Sequence, residues 1–191
     1  MAPMPSSDRL PQTRHAVLRP TVQVASLVLL ISLAGCGMFG TSQQYDCPST
    51  AAVGDATVQS KFRPGPGRDL TDVQYQVRLA DVSSQCRYDS KGVDVRMRVG
   101  FALELGPANP DRNAAYEFFV AITDPSNEIV AKRIFTTPLA FPTNVGYVEH
   151  IEELQQRIPL PKGGSAADYK IIVGLQLTQD ELDYNRKYER R

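Results

Sequence analysis

The stretch 93–105, VDVRMRVGFALEL, decides the fold. Val93, Val95, Met97, Val99, Phe101, Leu103 and Leu105 take every second position, with Asp94, Arg96, Arg98, Gly100, Ala102 and Glu104 between them. Successive side chains of an extended chain point to opposite faces, so the apolar set shares one face. A helix would scatter the same residues around its circumference. The spacing predicts a long strand with one buried and one wet face.

The neighbouring segments repeat the pattern. Val73, Tyr75, Val77 and Leu79 alternate with Gln74, Gln76 and Arg78. A break is expected near Ser83 and Ser84, then a short piece over 85–88 and a turn at DSKG, 89–92. An earlier strand is expected over 57–62. The following RPGPGRDLTD, 63–72, reads as loop, because its Pro and Gly bar regular structure and its glycines lack the Lys-Ser/Thr of a phosphate cradle. Downstream, 106–112 is a loop and Tyr116, Phe118, Val120 and Ile122 mark a strand face. DPSN, 124–127, suits a type I turn with Pro125 at its second position. The returning strand, 128–136, should end at Pro138 and Pro142.

Residues 145–160 fit two patterns. Val148, Ile151, Leu154 and Ile158 have helical spacing, whereas Val148, Leu154, Ile158 and Leu160 alternate. The β context and the closing IPLP favour a strand ending at Leu160, with 145–158 open between strand and helix. Tyr169, Ile171, Val173, Leu175 and Leu177 alternate as the last strand. Thr178 and Glu181 have capping-box spacing and open a short helix over 181–188. The sum is an all-β chain: an immunoglobulin-like antiparallel β-sandwich of about seven strands with a short C-terminal helix. The immunoglobulin likeness lies in strand count, since the buried Trp and the inter-sheet disulfide spacing of antibody domains are missing.

Composition narrows the function classes. The 191 residues carry 21 basic and 21 acidic side chains, two His, three Cys and no Trp. That excludes a zinc-finger array and argues against a strongly basic nucleic-acid binder.

The N-terminus has its own logic. Arg9, Arg14 and Arg19 precede a mostly apolar run, 22–34, and small residues follow. A basic region, a short apolar region and small residues before a cleavage point describe an export signal. The run is shorter than the about 20 residues of a spanning helix. Leu33, Ala34, Gly35 and Cys36 at its end resemble the lipobox of bacterial lipoproteins. The resemblance implies diacylglycerol on the Cys36 thiol, cleavage before Cys36 and acylation of the new amino terminus. Gly37, where an Asp would favour inner-membrane retention, implies the outer membrane, periplasmic face. The resulting division is a signal peptide, 1–35, a lipidated tether, 36–50, and one domain, 51–191. The mature part also resembles small envelope lipoproteins of alphaproteobacteria, a likeness that brings no known activity.

Export fixes the expectation for the other cysteines. Cys47 and Cys86 remain once Cys36 carries lipid, and thiols pair in an oxidising compartment. A Cys47–Cys86 bridge would clip the tether to the domain.

Catalytic constellations are scarce. His150 is the one histidine after the leader, and it sits in VEHIEEL. On a strand it shares a face with Glu152 and lies opposite Glu149 and Glu153. A weak cation site or a pH-sensitive contact is one reading, and an acidic strand edge that blocks sheet-to-sheet pairing is the favoured one. No GxSxG and no P-loop occur. Arg78, Arg96 and Arg98, with Arg87, would share one sheet face as a basic patch for anionic lipid, glycan or protein. The plainer reading is a solvated face balanced by Asp94 and Glu104. The C-terminal basic residues suit the end of a helix better than a lipid contact. The expectation is a non-enzymatic binding or assembly module, without cofactor or metal, that meets a membrane through Cys36 and an envelope protein through its domain. A small-ligand or lipid carrier is the alternative, and it would need an apolar cavity instead of a filled core.

Overall fold

The structure, a computed structural model, describes residues 46–188. Eight strands appear in chain order: β1 Ser49–Ala52, β2 Val58–Phe62, β3 Val73–Asp89, β4 Gly92–Leu105, β5 Asn113–Thr123, β6 Ile129–Ala140, β7 Tyr147–Pro159 and β8 Lys170–Leu175. Among the described residues one α-helix, α1 Gln179–Tyr188, follows β8. The first sheet has the order β1-β8-β5-β6 and the second β2-β3-β4-β7. Their inner faces pack into one all-β sandwich.

The alternating stretch behaves as its spacing demands. In β4, Val93, Val95, Val99 and Leu103 have no exposed surface, while Arg96 and Arg98 are exposed. Phe101 packs between Tyr116 and Phe118 of β5, with ring centroids 4.8 and 4.9 Å away. Phe118 stacks in turn on Phe135 of β6 at 5.0 Å. Each such side chain contributes about 1.5–3 kcal/mol when fully buried. Aromatic rings thus occupy the middle of the space between the sheets.

Several expectations change. There are eight strands, not about seven, because β1 adds to the sheet edge. It runs parallel to β8, so the sandwich is not wholly antiparallel. The expected break near Ser83 and Ser84 is absent. β3 is continuous, and its irregularity lies earlier, between Leu79 and Asp81. The extra residue, Ala80, reverses the facing: Tyr75, Val77 and Leu79 point inward before it, and Val82, Cys86 and Tyr88 pack on the core after it. β6 runs through Pro138 to Ala140. It is an edge strand, where a missing N–H costs no ladder bond. β7 is a strand along its whole length, paired antiparallel with β4. β8 ends at Leu175, short of Leu177.

Local chemistry fixes the ends of the elements. Ser90 and Lys91 form the two-residue turn between β3 and β4, and Gly92 has φ 148°, which favours glycine. The turn after β5 is held by Asp124, whose Oδ1 accepts from the N–H groups of Ser126 and Glu128 at 2.8 and 3.0 Å. The capping box forms: the Thr178 N–H donates to Glu181 Oε2 at 2.8 Å, and the Glu181 N–H donates to Thr178 Oγ1 at 3.3 Å. α1 lies along the free edge of β2. There the Asn185 side-chain amide donates to the carbonyls of Val58 and Asp55 at 2.7 and 3.1 Å.

Candidate functional site

Strand directions give the sandwich two ends. Cys47 and Cys86 form a disulfide with their Cα atoms 5.7 Å apart. Cys86 lies near the tip of the β3–β4 hairpin, so the chain enters the domain at that end. The Tyr88 hydroxyl donates to the Asp46 carbonyl at 2.7 Å and accepts from the Ala166 N–H at 2.9 Å. The last part of the stretch expected as a tether is therefore fixed, and its final residues already belong to β1. The hairpin tip is clamped by Arg157 of β7, which reaches Asp89 at 2.8 Å and Asp94 at 2.6 Å. The hydrogen bond from Arg157 is the main cause that lowers the Asp89 carboxyl to about 2. The lipobox cysteine, Cys36, and the leader lie outside the described residues.

The arginines of the expected basic patch share the outer face of the second sheet but do not form one cluster. Arg96 and Arg98 stand two residues apart on β4, opposite Gln85 and Ser83 of β3 and Gln155 and Glu153 of β7. They flank a shallow cleft of about 410 Å³. Arg78 is further along, opposite Ala102. Arg98 meets Glu153 at 3.5 Å, and Arg87 is in register with Asp94. This face is charged but balanced.

The histidine lies on the inner side of β7. His150 Nε2 is 3.1 Å from Glu152 Oε1, and the Thr137 hydroxyl of β6 donates to the same oxygen at 2.7 Å. This bond ties the edges of the two sheets together. Tyr116 is buried beside it, and burial first, then the Glu152 charge, holds its hydroxyl well above the ordinary tyrosine range. A neutral phenol, the Thr137 hydroxyl, a shared carboxylate and a half-exposed imidazole make a polar seam between the two sheet edges. Among the described residues no group of three His, Cys, Asp or Glu is placed to hold a metal ion.

No protein-family model matches the chain, and no curated protein matches it.

The end opposite the disulfide carries an apolar set that the sequence reading did not assemble. Leu70 is 81% exposed, and Val145, Tyr147 and Ile151 are also exposed. Tyr147 lies opposite Glu104 and Ile151 opposite Gly100, both on the outer face of the second sheet. Gly100 and Ala102 leave that part of β4 low, between taller neighbours on β3 and β7. A cleft of about 310 Å³ adjoins it, lined by Leu70, Val73, Gln76, Glu104, Leu105 and Pro107. The loop holding Leu70 is preformed. Arg63 pairs with the buried Asp72 at 2.6 Å, and Asp69 caps the turn that follows. A Cβ on Gly67 would collide with the Asp72 carboxylate, which fixes glycine there. The Tyr147 hydroxyl donates to Glu149 at 3.0 Å, the main reason its ionisation is pushed up. The apolar residues come from two segments, the turn before β3 and the stretch 145–151, which the pairing of β3 and β7 with β4 brings to one end.

Proposed function

We propose that the chain is a lipid-anchored envelope protein, held through Cys36 on the periplasmic face of the outer membrane, and that its domain is a non-enzymatic binding module. The observation that carries this reading is the opposition of the two ends. The chain enters at the Cys47–Cys86 end, and the exposed apolar set of Leu70, Val145, Tyr147 and Ile151 lies at or toward the other. Cys47 lies eleven positions after Cys36, with ten residues between them. At about 3.3–3.6 Å per extended residue that tether reaches roughly 40 Å at most. A domain so tied would hold its apolar end outward, where an envelope protein would meet it. Exposed apolar residues rimmed by Arg78, Glu104 and Glu149 suit a protein partner, because apolar anchors drive contact and charges set register. The aromatic rings between the sheets favour this module over a carrier, which would need that space for its ligand.

Two experiments test the reading. Cys36→Ser should leave uncleaved precursor and abolish lipid labelling; normal processing and membrane retention of that variant would refute the anchor. A photo-crosslinking residue at position 147 should yield a discrete protein adduct in intact cells, lost when Leu70→Asp is added. Copurifying lipid or small molecule with no protein adduct would favour the carrier.

A further inference from the structure

We infer that the foot of β6 is a membrane-docking surface, so that the domain touches the lipid surface beside its own anchor. The inference rests on the anchor proposed above. Sheet register carries it. Ser49 of β1 pairs with Lys170 of β8, Lys170 with Thr123 of β5, and Thr123 with Ile129 of β6. These four residues form one row across the first sheet. Strands lie about 4.8 Å apart, so Ile129 sits roughly 14 Å sideways from Ser49, at the same level. Ser49 is two residues from the disulfide-bonded Cys47. The place where the chain leaves for its anchor and the start of β6 therefore face the same way.

At that start the sheet exposes apolar side chains, with the exposed Glu128 just before them. Ile129 is 63% and Val130 55% exposed, and Ile134 follows higher on the same strand. Val130 is bulged out of the ladder, between the pairs Ile122–Ala131 and Thr123–Ile129. Ile129, Lys132 and Ile134 share the outer face, with Lys132 resting 4.5 Å over the Phe119 ring. Arg133 follows Lys132, and β6 contains no acidic residue. Lys170 adds a further cation, bound to Asn127 Oδ1 at 2.8 Å. Of the nearby carboxylates, Asp124 is engaged with the backbone of its own turn, and Glu128 stands exposed before Ile129, outnumbered by Lys132, Arg133 and Lys170. Apolar side chains that enter the headgroup boundary, flanked by cations that meet anionic headgroups, are what a lipid surface recognises. A protein groove would want the apolar residues centred and dry, and here they sit at a rim beside the anchor.

The chain contains no Trp, so one introduced indole is a clean reporter. Full-length lipidated Val130→Trp protein would be reconstituted into phosphatidylethanolamine–phosphatidylglycerol vesicles with brominated acyl chains. Val145→Trp serves as the control at the far end. The expected result is that the indole at 130 loses more than half of its emission while that at 145 is unchanged, and that adding Ile129→Asp and Lys132→Glu restores the emission. Protein that floats with the vesicles but keeps full emission at 130 overturns the docking and leaves the anchor standing. Protein that does not float overturns the anchor and the docking with it. Emission from 130 that is blue-shifted in detergent and indifferent to bromine places a second protein on this surface, and also overturns the proposal.

Discussion

Replacing Phe101 with Ala tests the facing of β4 and the packing of the sandwich together. The side chain is 1% exposed and touches the rings of Tyr116 and Phe118 across the sheet interface. A buried Phe→Ala change costs about 3–5 kcal/mol, the transfer term plus the cavity left behind. Two aromatic contacts are lost as well, so the upper half of that range is expected. Against a typical domain stability of about 5–15 kcal/mol, that is a large fraction. A loss of about 4 kcal/mol lowers the melting temperature by roughly 8–16 °C for a chain near this size. Arg98, three residues earlier and on the other face, is the contrast. Its ion pair with Glu153 is 3.5 Å long and exposed on both sides. Such pairs contribute about 0–1 kcal/mol, so Arg98→Ala should be nearly neutral, and Arg98→Asp should cost about 0.2–1 kcal/mol more through repulsion from Glu153. Urea unfolding followed by circular dichroism gives both values on one scale. If Arg98→Asp is as damaging as Phe101→Ala, the assignment of inner and outer faces is wrong.

Mass spectrometry after alkylation should find Cys47 and Cys86 blocked until reductant is added. Their double Ser variant should lose about 2–4 kcal/mol, since the bridge spans 39 residues. Asp89 is held at about 2 by Arg157, below its ordinary 3.8. Its contribution to stability is therefore complete above that ordinary value and is lost as pH falls through about 2; Arg157→Gln should move the Asp89 midpoint, read by carboxyl NMR titration, back up toward 3.8. Asn185→Ala strips the side-chain donor from the Val58 carbonyl at the β2 edge and should cost about 1–3 kcal/mol, whereas the cap variant Thr178→Ala should cost about 1 kcal/mol, both by urea melts.

Legibility in the sequence followed the strength of the local period. β4 was plain because seven apolar residues keep one spacing, and the β context was enough to favour a strand where β7 left two patterns open. β3 misled because one extra residue at Ala80 shifts the period by one, and a shifted period reads as a break. β1 was invisible: Ser-Thr-Ala-Ala has no alternation, and it becomes a strand only because β8 offers an edge and the neighbouring disulfide holds it there. Pro138 looked like a terminator because its tolerance depends on which strand is an edge, a fact of topology. The same limit governs the surfaces. Arg96 and Arg98 were legible as neighbours from one strand. Leu70 comes to the same end as Tyr147, and Ser49 to the same level as Ile129, only through pairing between strands distant in the chain.

The four sheet edges are protected unequally. A long unpaired edge invites another strand, and stable proteins shorten, cover or charge such edges. β1 is short and lies beside the disulfide. β2 is covered by α1, with Asn185 holding its outward carbonyl. β7 carries Glu149 and Glu153 on its exposed face, like charges that repel an incoming acidic strand. β6 is guarded in its upper half by Pro138, which lacks a donor, and in its middle by Lys132 and Arg133. Its foot has only the bulge at Val130 and the exposed Glu128 just before it, and Ile129 and Val130 stand there in the open. In free solution that segment would be the first place for chains to stick together. Under the proposed anchor, a domain tied by a short tether at the same end would present it to lipid instead, so the most open edge would be the one kept away from other chains. Glu at 129 and 130 should therefore improve the solubility of protein lacking residues 1–36 while weakening the contact of the lipidated protein with anionic vesicles. A gain in both, or a loss in both, would break the link between the bare edge and the membrane.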